Sequence, residues 1–396
     1  MALVRKDFDP SARGPLDGVR VLDLSRLVAG NMATHVLADF GADVIKVERP
    51  GRGDDLRHWR VEGQELFWKV YARNKRSIAL DFKAPDGREA LLRLVRGSQV
   101  LVENFVPGTL ERMGLGPEAL REINPALIVL RVSGWGQTGP YSQRPGFGTL
   151  VEAMSGYAYL NGFPENPPTL PPLAMADMIA GLYGAFATVT ALRVAEREGR
   201  GQTIDLSLFE PIFSLISSEA AKVRVTGEPT ERAGNQSTHT APRNVYRCRD
   251  GRYVALSGSM QSMSDRIFET IGRPELKDDP RFLTNDERVR NRDELDAVIG
   301  GYIAGLDQAE ALAIFETAGV TVGPVCSVAD LFDHPFVTGR GAMIDLEDPD
   351  LGRLPMHDII PRLDGTPGVH RRPAPKLGEH TAEILAEIGL AGTEVS

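Results

Sequence analysis

Five short β-rich runs separated by helical stretches decide what the first half of this chain can become. The runs are Val19–Leu24, Asp43–Glu48, Ser77–Phe82, Val100–Asn104 and Leu127–Val132, and between them lie helical patterns such as Asn31–Phe40 and Pro85–Arg96. Strands that alternate with helices of this length build βαβ units, and these predict an α/β domain around a largely parallel sheet. In such sheets ligands bind beyond the carboxyl ends of the strands, so the loops that follow the strands are where chemistry is expected.

The pattern changes further along. Gly199-Arg200-Gly201-Gln202 reads as a turn, Leu208 to Thr226 as a helix, and the polar stretch from Gly227 to Arg243, broken by Gly and Pro, as a linker. A short strand at Arg252–Leu256, charged helices up to about Ala318, loop and strand from Thr321 to Gly365, and a helical pattern within Pro373–Leu390 complete a smaller mixed region. A chain of 396 residues exceeds what one core usually serves, so two domains are expected, with the first extending over residues 1–225.

A net charge of −9 argues against nucleic acid as a partner. The two cysteines, Cys248 and Cys326, lie far apart and have no metal-type spacing, so neither a disulfide framework nor a zinc site is expected, and a cytoplasmic setting fits. No metal is expected elsewhere. The charged segment Met1–Pro15 lacks the apolar stretch of a signal peptide, and no uninterrupted apolar run approaches a membrane span.

Arg26-Leu27-Val28-Ala29-Gly30-Asn31 follows the first strand, without the three-glycine dinucleotide fingerprint or a phosphate-cradling Gly-Lys-Ser/Thr loop. Arg49, the run Asn74-Lys75-Arg76, and Arg112 place cations near strand ends, suited to a phosphorylated ligand. Asn104-Phe105-Val106-Pro107-Gly108 offers an aromatic ring at a turn, and Ser133-Gly134-Trp135-Gly136-Gln137-Thr138-Gly139-Pro140 offers backbone that a ligand can approach closely. Asp177 stands in the small-residue run Ala174–Gly181 at the head of a long apolar helix. It is read either as a helix cap or as a carboxylate nucleophile, held ionised by the helix start.

Taken in order, these motifs resemble the family III CoA-transferases, the group of formyl-CoA transferase, carnitine CoA-transferase and methylacyl-CoA racemase. The matching stretches include Pro15–Asp23, Leu37–Arg49, Asn74–Ile78, Glu103–Gly108, Gly134–Pro140, Ala176-Asp177, Gly323–Val325 and Leu377–Thr381. The resemblance implies a Rossmann-like large domain, a small domain at about 226–330, and a return to the large domain over 331–396. It also implies a ring-shaped chain interlocked with a second subunit in a homodimer. Coenzyme A, as acyl-CoA, and a carboxylic acid acceptor would be the substrates, with no membrane partner. Asp177 would be the nucleophile, passing through an acyl anhydride and an aspartyl-CoA thioester. The CoA contacts would be Val28, Ala29, Arg49, Ala72, Arg73, Asn74, Lys75, Asn104, Phe105, Arg112, Ser133, Gly134, Trp135 and Gly136.

Departures narrow the reading. Phe147 stands where the racemase branch has a His base, and Phe cannot move a proton, so racemisation or isomerisation of an acyl-CoA is the second reading. Val28 replaces the Gln of formyl-CoA transferase. Arg243 is a candidate clamp for a second substrate carboxylate, which would make the acid a dicarboxylate of succinate type. A CoA-binding protein without catalysis and a nicotinamide oxidoreductase are further alternatives, the latter disfavoured by the missing glycine fingerprint.

Overall fold

In the computed structural model, which describes residues 3–392, the chain divides into two units. The first comprises Met1–Ser155, Pro171–Ser217 and Phe332–Ser396, and the second Gly156–Leu170 and Ser218–Leu331.

The first unit opens with β1 (Val4–Arg5) and then builds a six-stranded sheet from β2 (Arg20–Asp23), β3 (Asp43–Glu48), β4 (Lys75–Ala79), β5 (Val100–Glu103), β6 (Ile128–Ser133) and β7 (Thr203–Ser207). The spatial order is β4-β3-β2-β5-β6-β7 and every pairing is parallel. Successive strands step outward from β2 in one direction and from β5 in the other, so the carboxyl ends of β2 and β5 diverge around a crevice. The helices are α1 (Ala29–Asp39), α2 (Leu66–Tyr71), α3 (Pro85–Arg96), α4 (Thr109–Arg112), α5 (Pro117–Ile123), α6 (Gly148–Met154) and, after the single turn α7 (Tyr157–Leu160) that belongs to the second unit, the long α8 (Met175–Glu198).

Strands covered on both faces read as continuous apolar runs, as Val100-Leu101-Val102 does with all three buried. α3 begins on Pro85 and buries Ala90, Leu91, Leu94 and Val95, one stripe at helical spacing, into the core of Leu22, Ile45, Ile78 and Leu101. α8 lies against α1 because Gly181 and Gly184 present no side chain there. A Cβ at Gly181 would fall 2.5 Å from the Met32 Cβ and 2.9 Å from the Ala29 carbonyl oxygen.

The alternation read from the sequence is the sheet that forms, with informative shifts. β4 begins two residues before the apolar run, at Lys75, because Lys75, Arg76 and Ser77 are buried strand residues whose polar ends find partners inside. β7, Thr203-Ile204-Asp205-Leu206-Ser207, fills the interval left unassigned between the turn Gly199–Gln202 and the helix expected from Leu208. It is a sheet edge whose alternate residues, Thr203 and Asp205, are exposed. The helix expected from Leu208 to Thr226 is two, Phe209–Leu215 and Ser217–Thr226. α8 has the length and hydropathy of a membrane span, which the sequence reading did not anticipate; its Gly181–Gly184 side is packed, while Leu182, Tyr183, Phe186 and Val189 are exposed.

The second unit holds β8 (Arg243–Arg247), β9 (Tyr253–Ser257) and β10 (Val322–Pro324), antiparallel in the order β10-β9-β8. Helices Gln261–Thr270, Arg292–Ile303 and Gln308–Thr317 cover a core of Val254, Leu256, Ile267, Phe268, Ile299 and Phe315. β8 falls partly inside the stretch read as linker because its sequence, Arg-Asn-Val-Tyr-Arg, is too polar to announce a strand. Back in the first unit, β11 (Met343–Asp348) pairs antiparallel with β12 (Gly352–His357) and parallel with β1.

Candidate active site

The carboxyl ends of β2, β3, β4 and β5 surround an opening of about 240 Å³. Its lining includes Arg26 after β2, Arg49 after β3, Phe82 and Lys83 after β4, and Phe105 after β5. The Phe82 and Phe105 ring centroids are 6.2 Å apart, and the Arg26 guanidinium lies 5.7 Å from the Phe105 ring. Arg49 is exposed, and among the described residues none takes its guanidinium as a partner. Glu48 and Asp54 form the inner wall, already neutralised: Arg57 grips Glu48 at 2.8 and 2.9 Å and Lys46 meets Asp54 at 2.8 Å. Asp55 on the same lining is paired with Arg52 at 2.8 Å and lies 3.9 Å from Arg26, and Asp81 also faces the opening; with two aromatic rings and the cations Arg26, Arg49 and Lys83, the lining suits a purine carrying phosphates. Arg112 stands beside it on α4, exposed and donating to Thr109 Oγ1 at 2.9 Å.

Asn104, expected to contact CoA, holds the neighbouring loop. Its side chain accepts from the Arg26 amide at 2.9 Å and donates to the Arg26 carbonyl at 2.7 Å, fixing the loop that follows β2. Ala72, Arg73, Asn74 and Lys75, expected to contact CoA, have side chains engaged within the protein. All are buried, the first, second and fourth with no exposed surface. Arg73 clamps Asp39 at 2.6 and 3.0 Å, and Asn74 donates to Asp39 and accepts from the Arg371 amide. Lys75 bonds Asp23, Asn31 and Thr34, and burial pushes its ammonium pKa down to about 8. The residues after β4, Asp81, Phe82 and Lys83, line the opening.

Asp177 is the third residue of α8, not its cap. The N-cap is Ala174, which caps through no side chain, and the Ala176 amide is satisfied instead by the Glu152 carboxylate of α6 at 3.0 Å. Asp177 lies against the start of α6: a Cβ on Gly148 would sit 2.2 Å from Asp177 Oδ2 and 3.8 Å from Glu152 Oε1. The helix start does not hold this carboxylate ionised. Burial first, and the nearby Glu152 charge second, push its pKa up to about 6. Glu152 itself is buried, 3% exposed, and the sequence reading missed it. A carboxylate in the otherwise apolar Leu150-Val151-Glu152-Ala153-Met154 was the available signal.

Two segments link this carboxylate to the strand ends. The loop after β6 touches the segment that leads into α6: a Cβ on Gly134 would lie 2.6 Å from the Gly146 Cα, and Trp135 Nε1 donates to the Pro145 carbonyl at 3.1 Å. Ser133 and Gly136 flank this contact, with the Ser133 hydroxyl buried and unpartnered. From the other side Val28, buried at the head of α1, shares an apolar cluster with Leu56 and Trp68 against which Ala174 and Met178 of α8 pack. Ala29, also buried, follows it into α1. Phe147, at the N-cap of α6, is 63% exposed.

One group among the described residues has metal-ligand spacing: His35, Asp39 and His357. Arg73 donates to Asp39 Oδ2 at 2.6 Å and lies 3.3 Å from His357 Nε2, so a guanidinium already stands between two of the three. In the second unit, Arg243 donates to the carbonyls of Asn235 and Gln236 at 3.2 and 3.4 Å and so fastens the preceding loop.

The model of the family described as CoA-transferase family III matches residues 16–381. This chain belongs to that family. As a family III CoA-transferase it is 39% identical over 377 residues to succinyl-CoA–D-citramalate CoA-transferase of Chloroflexus aurantiacus, covering 94% of each chain. It is 36% identical over 388 residues to succinate–glutarate CoA-transferase of Agrobacterium fabrum, covering 96% of this chain and 97% of the other. A CAIB/BAIF family protein from Brucella suis has the same fold, with a TM-score of 0.85 at 36% identity over 95% of this chain and all of the other. A CoA-transferase acts on CoA thioesters, and the purine-and-phosphate character of the opening is the chemistry of the CoA nucleotide.

Proposed function

We propose that this enzyme moves CoA from succinyl-CoA to a free dicarboxylic acid, with Asp177 as the nucleophile. The observation that carries the reading is the Asp177 carboxylate itself, held in a half-buried place against a glycine with its pKa raised to about 6. It is mostly ionised at neutral pH yet more basic than an ordinary Asp, which favours attack on a thioester.

Asp177 attacks the thioester carbonyl, the C–S bond breaks, and the CoA thiolate leaves an acyl-aspartyl anhydride. The thiolate attacks the aspartyl carbonyl, releasing the donor acid and forming an aspartyl-CoA thioester. The acceptor carboxylate then expels the thiolate to give a second anhydride, and the thiolate attacks the acceptor acyl carbon, restoring the Asp177 carboxylate. No net proton is consumed. Both intermediates hydrolyse readily, so the packing of the Gly134 loop on the α6 entry serves to keep water out. Arg26, Arg49 and Lys83 are suited to the CoA phosphates, and Phe82 and Phe105 to its adenine.

The dicarboxylate preference rests on the relatives, whose names pair succinyl-CoA or succinate with citramalate or glutarate. We further propose that a second copy of the chain, interlocked as a ring, covers the exposed apolar face of α8, and that the enzyme is cytoplasmic. The racemase reading gains nothing here, because Phe147 offers no proton carrier. Incubation with succinyl-CoA and a panel of mono- and dicarboxylates, read by mass spectrometry, tests the function. New dicarboxylyl-CoA products support it; no exchange with any acid refutes it.

A further inference from the structure

Leu27 stands in the left-handed region, with φ of +61° and no glycine to make that conformation cheap. It lies in the five-residue passage between β2 and α1, and the backbone before it and its own amide and carbonyl are tied down. The Ser25 carbonyl accepts from Lys46, the Arg26 amide and carbonyl are held by Asn104, and the Leu27 carbonyl accepts from Asn31 Nδ2 at 2.6 Å. The Leu27 amide donates to Asp54 Oδ1 at 3.0 Å. Asp54 is 2% exposed, and its other oxygen meets Lys46 and Asn31 Nδ2 at 2.8 and 2.9 Å. One buried carboxylate thus fixes the amide of the strained residue and, through Asn31, its carbonyl.

The passage joins two places. Its first residues, Leu24, Ser25 and Arg26, line the opening at the strand ends, while Val28, next after Leu27, belongs to the cluster with Leu56, Trp68 and Ala72 against which Ala174 and Met178, on either side of Asp177, pack. Relaxing Leu27 to an ordinary conformation would swing Val28 and the start of α1 relative to the head of α8.

We propose that Asp54 is a positioning residue, holding Leu27 in its left-handed conformation so that the CoA-side loop and the Asp177 carboxylate keep the relative placement that acyl transfer needs. The proposal rests on Asp177 being the nucleophile. Asp54 touches no reacting atom; it acts through Leu27 and Val28.

The test compares Asp54→Ala, Asp54→Asn, Asp54→Ala/Leu27→Gly and Asp54→Ala/Leu27→Ala by amide hydrogen exchange of residues 25–29 and by steady-state kinetics with succinyl-CoA. Asp54→Ala is expected to speed exchange at Leu27 by at least about tenfold. It should lower kcat by about tenfold or more while KM for succinyl-CoA changes less than about threefold. Asn keeps an acceptor for the Leu27 amide but turns an NH2 toward Lys46 and Asn31, so it falls between the native enzyme and Asp54→Ala in both exchange and kcat. Glycine at 27 adopts positive φ freely, so the Gly double variant recovers kcat and the Ala double variant does not. If Asp54→Ala does not fold, Asn31→Ala loosens the same residue from its carbonyl side and carries the same expectations.

Unchanged exchange at Leu27 overturns the proposal, as does faster exchange with unchanged kcat. A raised KM at constant kcat would place Asp54 in the nucleotide pocket instead, and equal behaviour of the two double variants would show that the φ of Leu27 is irrelevant. If the native enzyme transfers no CoA, the function fails on its own, and the exchange data still decide whether Asp54 holds the loop.

Discussion

Replacing Glu152 by Gln probes the electrostatics on which the chemistry depends. Asp177 is raised from 3.8 to about 6, with burial the larger cause and the Glu152 charge the next. A rise of about two units corresponds to ~3 kcal/mol of preference for the neutral carboxyl. Since burial outweighs the charge, Glu152 accounts for less than half, and its neutralisation should lower the Asp177 pKa by less than about one unit. Gln keeps an acceptor for the Ala176 amide, so the head of α8 stays capped. The assay is the pH dependence of kcat/KM for the acyl-CoA. The native enzyme should lose activity on its acid side with an apparent pKa near 6, because attack needs the ionised form. The Gln variant should move that limb to lower pH and retain its fold. A native limb near 4, or a limb that stays put or moves upward in the variant, refutes the reasoning. Glu152→Ala should differ from Gln by losing ~1 kcal/mol of stability with the cap, read by urea unfolding.

Gly148→Ala should leave the fold intact and reduce kcat by about a hundredfold or more, because the new methyl would lie 2.2 Å from Asp177 Oδ2 and must displace it. Arg49→Ala should raise KM for the acyl-CoA by roughly tenfold with little change in kcat, as loss of one charge-assisted phosphate contact would; titration with free CoA checks it directly. Asp177→Asn should stabilise the protein at pH 7 by up to ~3 kcal/mol in urea unfolding. A raised carboxyl pKa means that the folded state binds the extra proton between pH 4 and 6, so stability falls as pH rises through that window and the gain from Asn shrinks toward pH 4. Arg73→Leu should cost ~3–5 kcal/mol, because it leaves the Asp39 charge buried without its clamp.

Much of this architecture was legible because parallel strands covered on both faces must be apolar throughout, as Val100–Val102 and Ile128–Leu130 are. Asp177 and Arg49 stood out for the same reason in reverse, as charges where a strand or an apolar helix begins or ends. What stayed hidden is set by partners distant in sequence. Lys75, expected near the ligand, is a strand residue whose ammonium is held by Asp23, Asn31 and Thr34, while Lys83, beyond the other end of β4, joins Arg26 and Arg49 on the opening. β8 is a polar edge strand with no strong alternation, and β7, although Thr203-Ile204-Asp205-Leu206-Ser207 alternates, is only five residues long. Glu152 caps a helix 24 residues away, which local spacing cannot reveal. The helix-start argument for Asp177 failed because burial and a second carboxylate outweigh the amides of the first turn.

The central claim is that Asp177 carries the CoA. Enzyme mixed with succinyl-CoA and no acceptor, digested and examined by mass spectrometry, should show a CoA adduct on the peptide containing Asp177, which hydroxylamine converts to a hydroxamate at that residue. Turnover with no label at Asp177, or undiminished transfer by Asp177→Ala, would contradict it.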